Sequence, residues 1–337
     1  MQLRYYILRR IFFFIPVLFG LSLITFTVSH LVPGDPVGLA AGPGATPQEI
    51  QQLKLEYGTD KPLPEQYLTY MRNVLHGDLG RSMTSHHRVM DDLIAFFPAT
   101  LELVLVAMLL AIGVGIPLGV VAAVYRDRWP DQLSRVFALS SISFPRFWLA
   151  IVLQLIFAMT LGWLPVGARF DVRETMPPNV TGMLLVDSVL AGNVKDFVIA
   201  GQHIILPAIC QCLTEVAFTT RLLRSDVLET LQKDFVRMAR ASGIPERIIL
   251  FKYVLKNSLI ATTSTIGFLF GFALGGTVLI ESVFDWPGIG LYALKSAVTL
   301  DFQPIMGITL FVGLLFSIVN LATDVAYGML DPRIRYG

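Results

Sequence analysis

The chain reads as an all-α integral membrane protein with six membrane-spanning helices and both termini on the cytoplasmic side. Three observations lead there. Of its 337 residues, 54% are hydrophobic and only 15% charged, against about 25% charged in water-facing domains. Mean hydropathy is correspondingly high, at +0.64. Six stretches are apolar for about the 20 residues a helix needs to cross the hydrocarbon core. Finally, Lys and Arg crowd into alternate connecting segments.

The first stretch, about 11–32, follows Arg4, Arg9 and Arg10. It is longer than the roughly 7–15 apolar residues of a signal-peptide core. No small-x-small cleavage pattern follows it, and Pro33-Gly34-Asp35-Pro36 ends it, so an uncleaved first span is expected. The other spans fall at about 100–124, 147–165, 203–222, 258–280 and 304–328. Starting the third at Phe147 keeps Arg146 at the interface and leaves Trp148 and Trp163 near opposite ends, as an aromatic belt would have them. With the N-terminus inside, the inner segments hold 17 of the 26 Lys and Arg residues in about 77 positions, and the outer segments hold 9 in about 127. That asymmetry sets the orientation.

Two polar regions have structure of their own. In the outer segment 33–99, Thr46-Pro47-Gln48-Glu49 is a capping box with proline at the first helical position, followed by Ile50, Leu53 and Tyr57 at helical spacing. A second outer helix is expected over 64–75, with Tyr67, Met71 and Val74 on one face and Gly77 as its C-terminal cap. In the inner loop 221–257, one helix is expected over about 225–242, with Leu228, Leu231, Phe235, Met238 and Ala239 near one face. Gly243 stops it and Pro245 restarts a second helix. The product is a helical knuckle suited to a partner's groove.

Several classes are excluded. The net charge of +1 carries no field for nucleic acid. No G-x-x-x-x-G-K-[ST] loop is present to cradle phosphates, so the chain is not itself an ATPase, and no H-E-x-x-H site occurs. No Ser/His or paired-Asp constellation stands out, so no catalytic residues and no enzyme activity are expected. A metal site from His203, Cys210 and Cys212 is disfavoured. His203 lies about 10 Å of helix from Cys210, and the two cysteines diverge by about 200°.

Asp234-Phe-Val-Arg-Met-Ala-Arg-Ala-Ser-Gly243, with Asn257 fourteen residues on, resembles the EAA loop of bacterial ABC importer permeases. The preceding Arg221-Leu-Leu-Arg-Ser-Asp-Val-Leu-Glu229 fits the same pattern. Leu8-Arg-Arg-Ile11, Leu31-Val-Pro-Gly-Asp-Pro36, His76-Gly-Asp-Leu-Gly80, Phe284-Asp-Trp-Pro-Gly-Ile-Gly290 and Asp331-Pro-Arg-Ile334 resemble the dipeptide, oligopeptide and nickel branch. The resemblance runs in order along the whole chain. Two departures stand out: the acidic residue that names the motif falls at Arg237, and the proline that often follows falls at Ala261, so the second helix is expected to enter the membrane without a kink.

The resemblance implies a type I ABC importer permease fold. It implies an N-terminal span with a helical outer segment over 1–98, a permease domain over 99–330 and a cytoplasmic tail over 331–337. It also implies a second permease subunit, two cytoplasmic ATPase subunits that use the ATP, and a periplasmic substrate-binding protein. No cofactor is expected on this chain. Peptides are the implied cargo. Nickel, glutathione or another small solute is the alternative, and a stand-alone channel or secondary carrier the more distant one. Contact with the ATPases is implied for Arg237, Ala239, Arg240, Ala241, Gly243, Ile244 and Pro245.

Other residues are singled out by physics. Gly267, Gly271 and Gly275 recur every four residues on the fifth span, a face for close helix packing and for movement during gating. Glu215 lies well inside the fourth span, where an acid costs about 2–3 kcal/mol unless paired or solvated. A structural ion pair is the preferred role, and a place on the translocation path the other. Asn320 and Asp324 share a face near the inner end of the sixth span, Glu102 is expected to reach water at the outer end of the second, and Trp286-Pro287-Gly288 is expected as an interfacial outer turn closing the mouth.

Overall fold

The structure is a computed structural model, and it describes residues 3–31, 36–41, 45–56 and 58–330. The centre of the Leu31–Pro36 motif, Tyr57, and the tail from 331 with its Asp331–Ile334 motif lie outside the described residues. Among the described residues all regular structure is helical, apart from one isolated bridge between Arg81 and Arg88.

Helix α1 (Leu3–Leu31) is the first span, and its apolar surface is largely exposed, as lipid contact requires. Two short helices, α2 (Pro36–Ala41) and α3 (Pro47–Glu56), lead to α4 (Leu63–Leu75). The capping box forms as expected: the Thr46 amide donates to Glu49 Oε2 at 2.7 Å, and the Glu49 amide donates to Thr46 Oγ1 at 3.3 Å. Gly77, at φ +80°, ends α4 with its amide on the Val74 carbonyl, while the Asp78 amide reaches the Asn73 carbonyl. Tyr67, Tyr70 and Met71 then pack α4 onto Phe26 of α1 and onto Met306 and Leu310.

The centre of the bundle is the pairing of α5 (Val89–Val124) with α9 (Val194–Thr230). At 36 and 37 residues these helices are about 55 Å long, well beyond the roughly 30 Å hydrocarbon core, so both project from the membrane. Ala107, Ala111, Gly115 and Gly119 recur every four residues along the contact. A β-carbon on Gly119 would sit 3.0 Å from the Thr220 carbonyl oxygen, so the backbones touch. Residue 98, where the N-terminal segment was expected to end, lies inside α5.

Among the described residues four helices are long and apolar enough to cross a membrane, or six if each of two bent pairs is one span, and the segment expected as the third span is one of those pairs. α6 (Trp129–Ser143) turns by 101° at Phe144-Pro145 into α7 (Arg146–Leu153), which runs on as a π-helical turn, Gln154–Thr160. The expected start at Phe147 matches α7, but α7 with its π turn is only about 22 Å long. It does not cross alone. The outer segment carries α8 (Leu184–Leu190) before α9 begins.

Beyond α9 the chain forms α10 (Asp234–Ala241), then α11 (Glu246–Ile248) with a π turn, Ile249–Val254, and α12 (Leu255–Gly275). The single helix expected over 225–242 is in fact two, because α9 runs to Thr230 and a turn at 231–233 separates it from α10. The fifth span is bent by 47° between Glu246–Ile260 and Thr262–Gly275, where a straight entry was expected. No proline is needed. Ser258, Thr262 and Thr263 each donate a hydroxyl to the carbonyl four residues back, which tilts carbonyls away from the helix ladder. The side chain of Ala261 is outside the described set. Two outer helices, α13 (Val278–Val283) and α14 (Ile289–Val298), precede the sixth span, α15 (Phe302–Leu330). Arg10 meets Asp324 at 2.7 Å, so the start of α1 and the end of α15 share one face of the bundle.

Candidate functional site

The inner knuckle is α10 and the reversal after it. Val236 and Ala239 bury one side against Ala123 of α5, Leu223 and Val227 of α9, and Ile249 and Val254 leading into α12. Three inner helix ends thus grip one two-turn helix. The turn at 231–233 resets the helical phase, so Met238 does not share the buried face as its spacing suggested. It is 69% exposed. Gly243, at φ +74°, closes α10, its amide on the Arg240 carbonyl and the Ile244 amide on the Ala239 carbonyl. Ile244 then returns to the same apolar cluster, and Pro245 caps α11.

The outward side of the knuckle is polar and exposed: Arg237 beside Asp234 at 3.5 Å, Arg240 on Glu246 at 2.6 Å, and Ala241. The Glu246 carboxylate holds the Arg240 guanidinium above its usual range. Of the seven residues implied for partner contact, Ala239 faces inward, Ile244 is half-buried, and Arg237, Arg240, Ala241, Gly243 and Pro245 are exposed.

Behind the knuckle, Asp131 at the start of α6 is fully buried. It accepts from Arg224 Nε and Nη2 at 2.6 and 2.8 Å and from Arg135 at 2.8 Å. Asp226 Oδ2 lies 3.1 Å from the Thr262 hydroxyl, and the Thr230 and Ser258 hydroxyls lie 3.2 Å apart, so α9 and α12 are tied by side chains as well as by packing. Asp131 carries little signal in the sequence. Its local signal was only the Asp131–Arg135 spacing, because Arg224 is far away in the chain.

Glu215 is 1% exposed and lies beside Arg146 Nη2 at 3.4 Å, while Arg146 Nε donates to Thr214 at 3.2 Å. The Gln211 amide approaches it from the same helix at 3.5 Å. The glycine face of α12 meets α15: a β-carbon on Gly267 would collide with Thr323, one on Gly271 would lie 2.9 Å from Phe316 Cδ2, and one on Gly275 would lie 3.8 Å from Val312 Cγ1.

Two outer residues differ from expectation. Glu102 does not reach water. The outer segment folds over it, and it pairs with Arg169 while accepting the Leu185 amide at 2.6 Å. Trp286 is no interfacial anchor either. It is 1% exposed and donates Nε1–H to the Ala99 carbonyl at 2.9 Å. The reason is Glu281, missed in the sequence because it lies just past the fifth span. It is buried and accepts from Thr100 Oγ1 at 2.7 Å and the Leu291 amide at 2.9 Å, drawing the 284–291 turn into the bundle. His203 Nδ1 lies 2.9 Å from the Gly167 carbonyl, away from the cysteines' sulfurs in its bonding, and both cysteines are buried and free.

These features define a polytopic helical membrane protein with a rigidly held knuckle at one face. The family described as binding-protein-dependent transport system inner membrane component matches residues 115–336, and its N-terminal companion matches residues 2–104. The chain belongs to that family and is a permease subunit of an ABC importer. It is 42% identical to the probable D,D-dipeptide transport system permease protein of Escherichia coli, over 94% of each chain. It is 37% identical to the dipeptide transport system permease protein of Alkalihalophilus pseudofirmus, over 98% of this chain and 99% of that one. Identity is also 37% to the glutathione transport system permease protein of Escherichia coli, with the same coverage. The fold resembles the inward-facing MetNI methionine ABC transporter, with a TM-score of 0.51 at 14% identity, over 72% of this chain and 97% of that one.

Proposed function

We propose that this chain forms half of the channel through which a bacterium imports di- or oligopeptides. The observation that carries the reading is near-full-length similarity to permeases named for dipeptides. A relative named for glutathione, itself a tripeptide derivative, keeps that cargo as the second reading.

In this account the chain sits in the inner membrane with both termini cytoplasmic, which the Lys and Arg asymmetry supports. Residues 1–98 supply the first span and a helical periplasmic segment, 99–330 the permease domain and 331–337 the tail. A second permease completes the channel, a periplasmic binding protein delivers substrate, and two cytoplasmic ATPase subunits supply the ATP hydrolysis. They contact the knuckle through Arg237, Met238, Arg240, Ala241 and Gly243. Ala239, Ile244 and Pro245 hold its shape.

The mechanism is mechanical. Because α10 is packed on the ends of α5, α9 and α12, a push on the knuckle moves three helices together. Gly267, Gly271 and Gly275 let α12 lie close on α15, so the displacement passes to the sixth span. Glu215 is assigned to the ion pair with Arg146 rather than to the substrate path.

The test of cargo is the ligand of the cognate binding protein, identified by mass spectrometry after mild purification. A bound di- or oligopeptide is expected. A free metal ion as sole ligand overturns the peptide assignment.

A further inference from the structure

The elbow between α6 and α7, at Phe144-Pro145, lies near the middle of the membrane. Helix α9 gives the scale. Arg224 meets Asp131 at the start of α6, Glu215 meets Arg146 just past the elbow, and His203 meets Gly167 of the outer segment. Along α9, Glu215 is about 14 Å from Arg224 and about 18 Å from His203. Together those distances match the roughly 30 Å hydrocarbon core, so the 101° bend falls well inside it.

That depth makes the backbone of the bend hard to place against lipid. Pro145 has no N–H, and the amides of Arg146, Phe147 and Trp148 begin α7 with no acceptor among the described residues. The carbonyls of Ile142 and Ser143 likewise accept nothing. Irregular backbone at membrane depth occurs only where protein covers it or water reaches it. Within this chain the elbow is uncovered: Phe144 is 49% exposed, and Ser143 and Pro145 are exposed beside it.

The helix leading to the elbow adds an independent sign. On α6, Asp131, Ser134 and Ala138 face the bundle. Gln132, Val136, Ser140 and Ser143 form the opposite strip, and all four are exposed. The Ser141 and Ser143 hydroxyls turn back onto carbonyls of their own helix, whereas the Ser140 hydroxyl has no bond among the described residues. Elsewhere at this depth the outward positions are apolar: Leu109 and Val114 on α5, Leu314 and Ile318 on α15. A polar strip that ends at free backbone groups, beside faces made for lipid, belongs to water.

We infer that the α6–α7 elbow is the wall of the water-filled passage at mid-membrane. Gln132, Ser140 and the free backbone groups of the elbow offer donors and acceptors to the amide groups of a peptide in transit. The inference rests on the reading of this chain as half of a channel and names the part of the chain that faces it. Arg146, held by Glu215 and Thr214, anchors α7 to α9 behind that wall.

The experiment is cysteine labelling of the assembled transporter in proteoliposomes, during ATP turnover with the binding protein and a dipeptide. The probe is the membrane-impermeant trimethylammonium-ethyl methanethiosulfonate, read as mass added to this chain. The native Cys210 and Cys212 are buried, so wild type supplies the baseline. A thiol attacks the probe as its thiolate, which forms in water and not in lipid. Ser140→Cys and Val136→Cys are therefore expected to label at least about tenfold faster than Leu109→Cys on the outward face of α5. Labelling at 140 is expected to cut peptide uptake below that of the same variant unlabelled. Val136→Cys, on the same strip, keeps the test decisive if Ser140→Cys assembles poorly. Labelling of the strip only by a lipid-soluble pyrenyl maleimide places it against lipid, and protection from both reagents places it beneath the second permease. Either result, or rates equal to that of Leu109→Cys, overturns the inference. Fast labelling of the strip in a transporter whose wild type moves no dipeptide upholds the wall and overturns the cargo reading instead.

Discussion

Arg224, near the inner end of α9, holds Asp131 at the start of α6 through two hydrogen bonds of 2.6 and 2.8 Å. The pair locks α6 against α9 just behind the knuckle. Removing one side of a buried pair strands the other charge, at a cost of about 3 kcal/mol. Asp131→Ala is therefore expected to lower the thermal midpoint of the purified protein far more than Arg135→Ala, whose side chain is half exposed. Differential scanning fluorimetry in detergent compares the two. Equal losses would remove Arg224–Asp131 from the list of structural clamps.

The glycine face of α12 makes a graded prediction. Gly267→Ala drives a methyl group into Thr323 and is expected to destabilise by about 1–3 kcal/mol, whereas Gly275→Ala, meeting only Val312 at 3.8 Å, is tolerated. Thr323→Ala should restore much of the loss in the Gly267→Ala background. Thermal midpoints of the two singles and the double give the coupling, and additive losses contradict direct contact.

Glu215 and Arg146 face each other inside the bundle. Glu215→Gln leaves Arg146 without its carboxylate and is expected to destabilise. Glu215→Gln with Arg146→Met should recover part of that, with a coupling of about 1–3 kcal/mol. Substrate preference in reconstituted uptake is expected to be unchanged in the double variant. A changed preference returns Glu215 to the translocation path.

Asp187 in the outer segment gives a pH signature. Burial works to raise its pKa, but donation from Thr181, Val180 and Gly182 outweighs that and holds it below the ordinary 3.8. A depressed carboxylate contributes stability above its unfolded value and loses it as pH falls through the folded one. The advantage of wild type over Asp187→Asn should be constant from about pH 7 to about pH 5 and shrink only below about pH 3.8. Thermal midpoints across that series check it; an advantage that fades near neutral pH argues against the network.

Local signals were legible in the sequence and distant ones were not. The Thr46–Glu49 capping box, the α4 face and the glycine stops at Gly77 and Gly243 rest on residues a few positions apart, and each stands where it was expected. The break at 231–233 has neither glycine nor proline to mark it, so the spacing over 225–242 points to one helix where two exist and sets Met238 on the buried face. Glu102, Trp286 and Glu281 depend on which loop folds over them, which no spacing reveals. The stripe Ala107, Ala111, Gly115 and Gly119 had a readable four-residue period, yet alanine in an apolar run passes for lipid-facing filler.

The central claim is that ATP hydrolysed by another chain drives this one through the knuckle. The direct measurement is peptide uptake into proteoliposomes by the assembled transporter carrying Ala239→Asp with Gly243→Val, together with ATPase co-purification. Ala239 is buried in the knuckle's anchor and Gly243 holds φ +74°, so both changes disrupt its shape. The account predicts that the ATPase no longer co-purifies and that ATP-dependent uptake falls to background. Full uptake by this chain alone, without ATP, would contradict it.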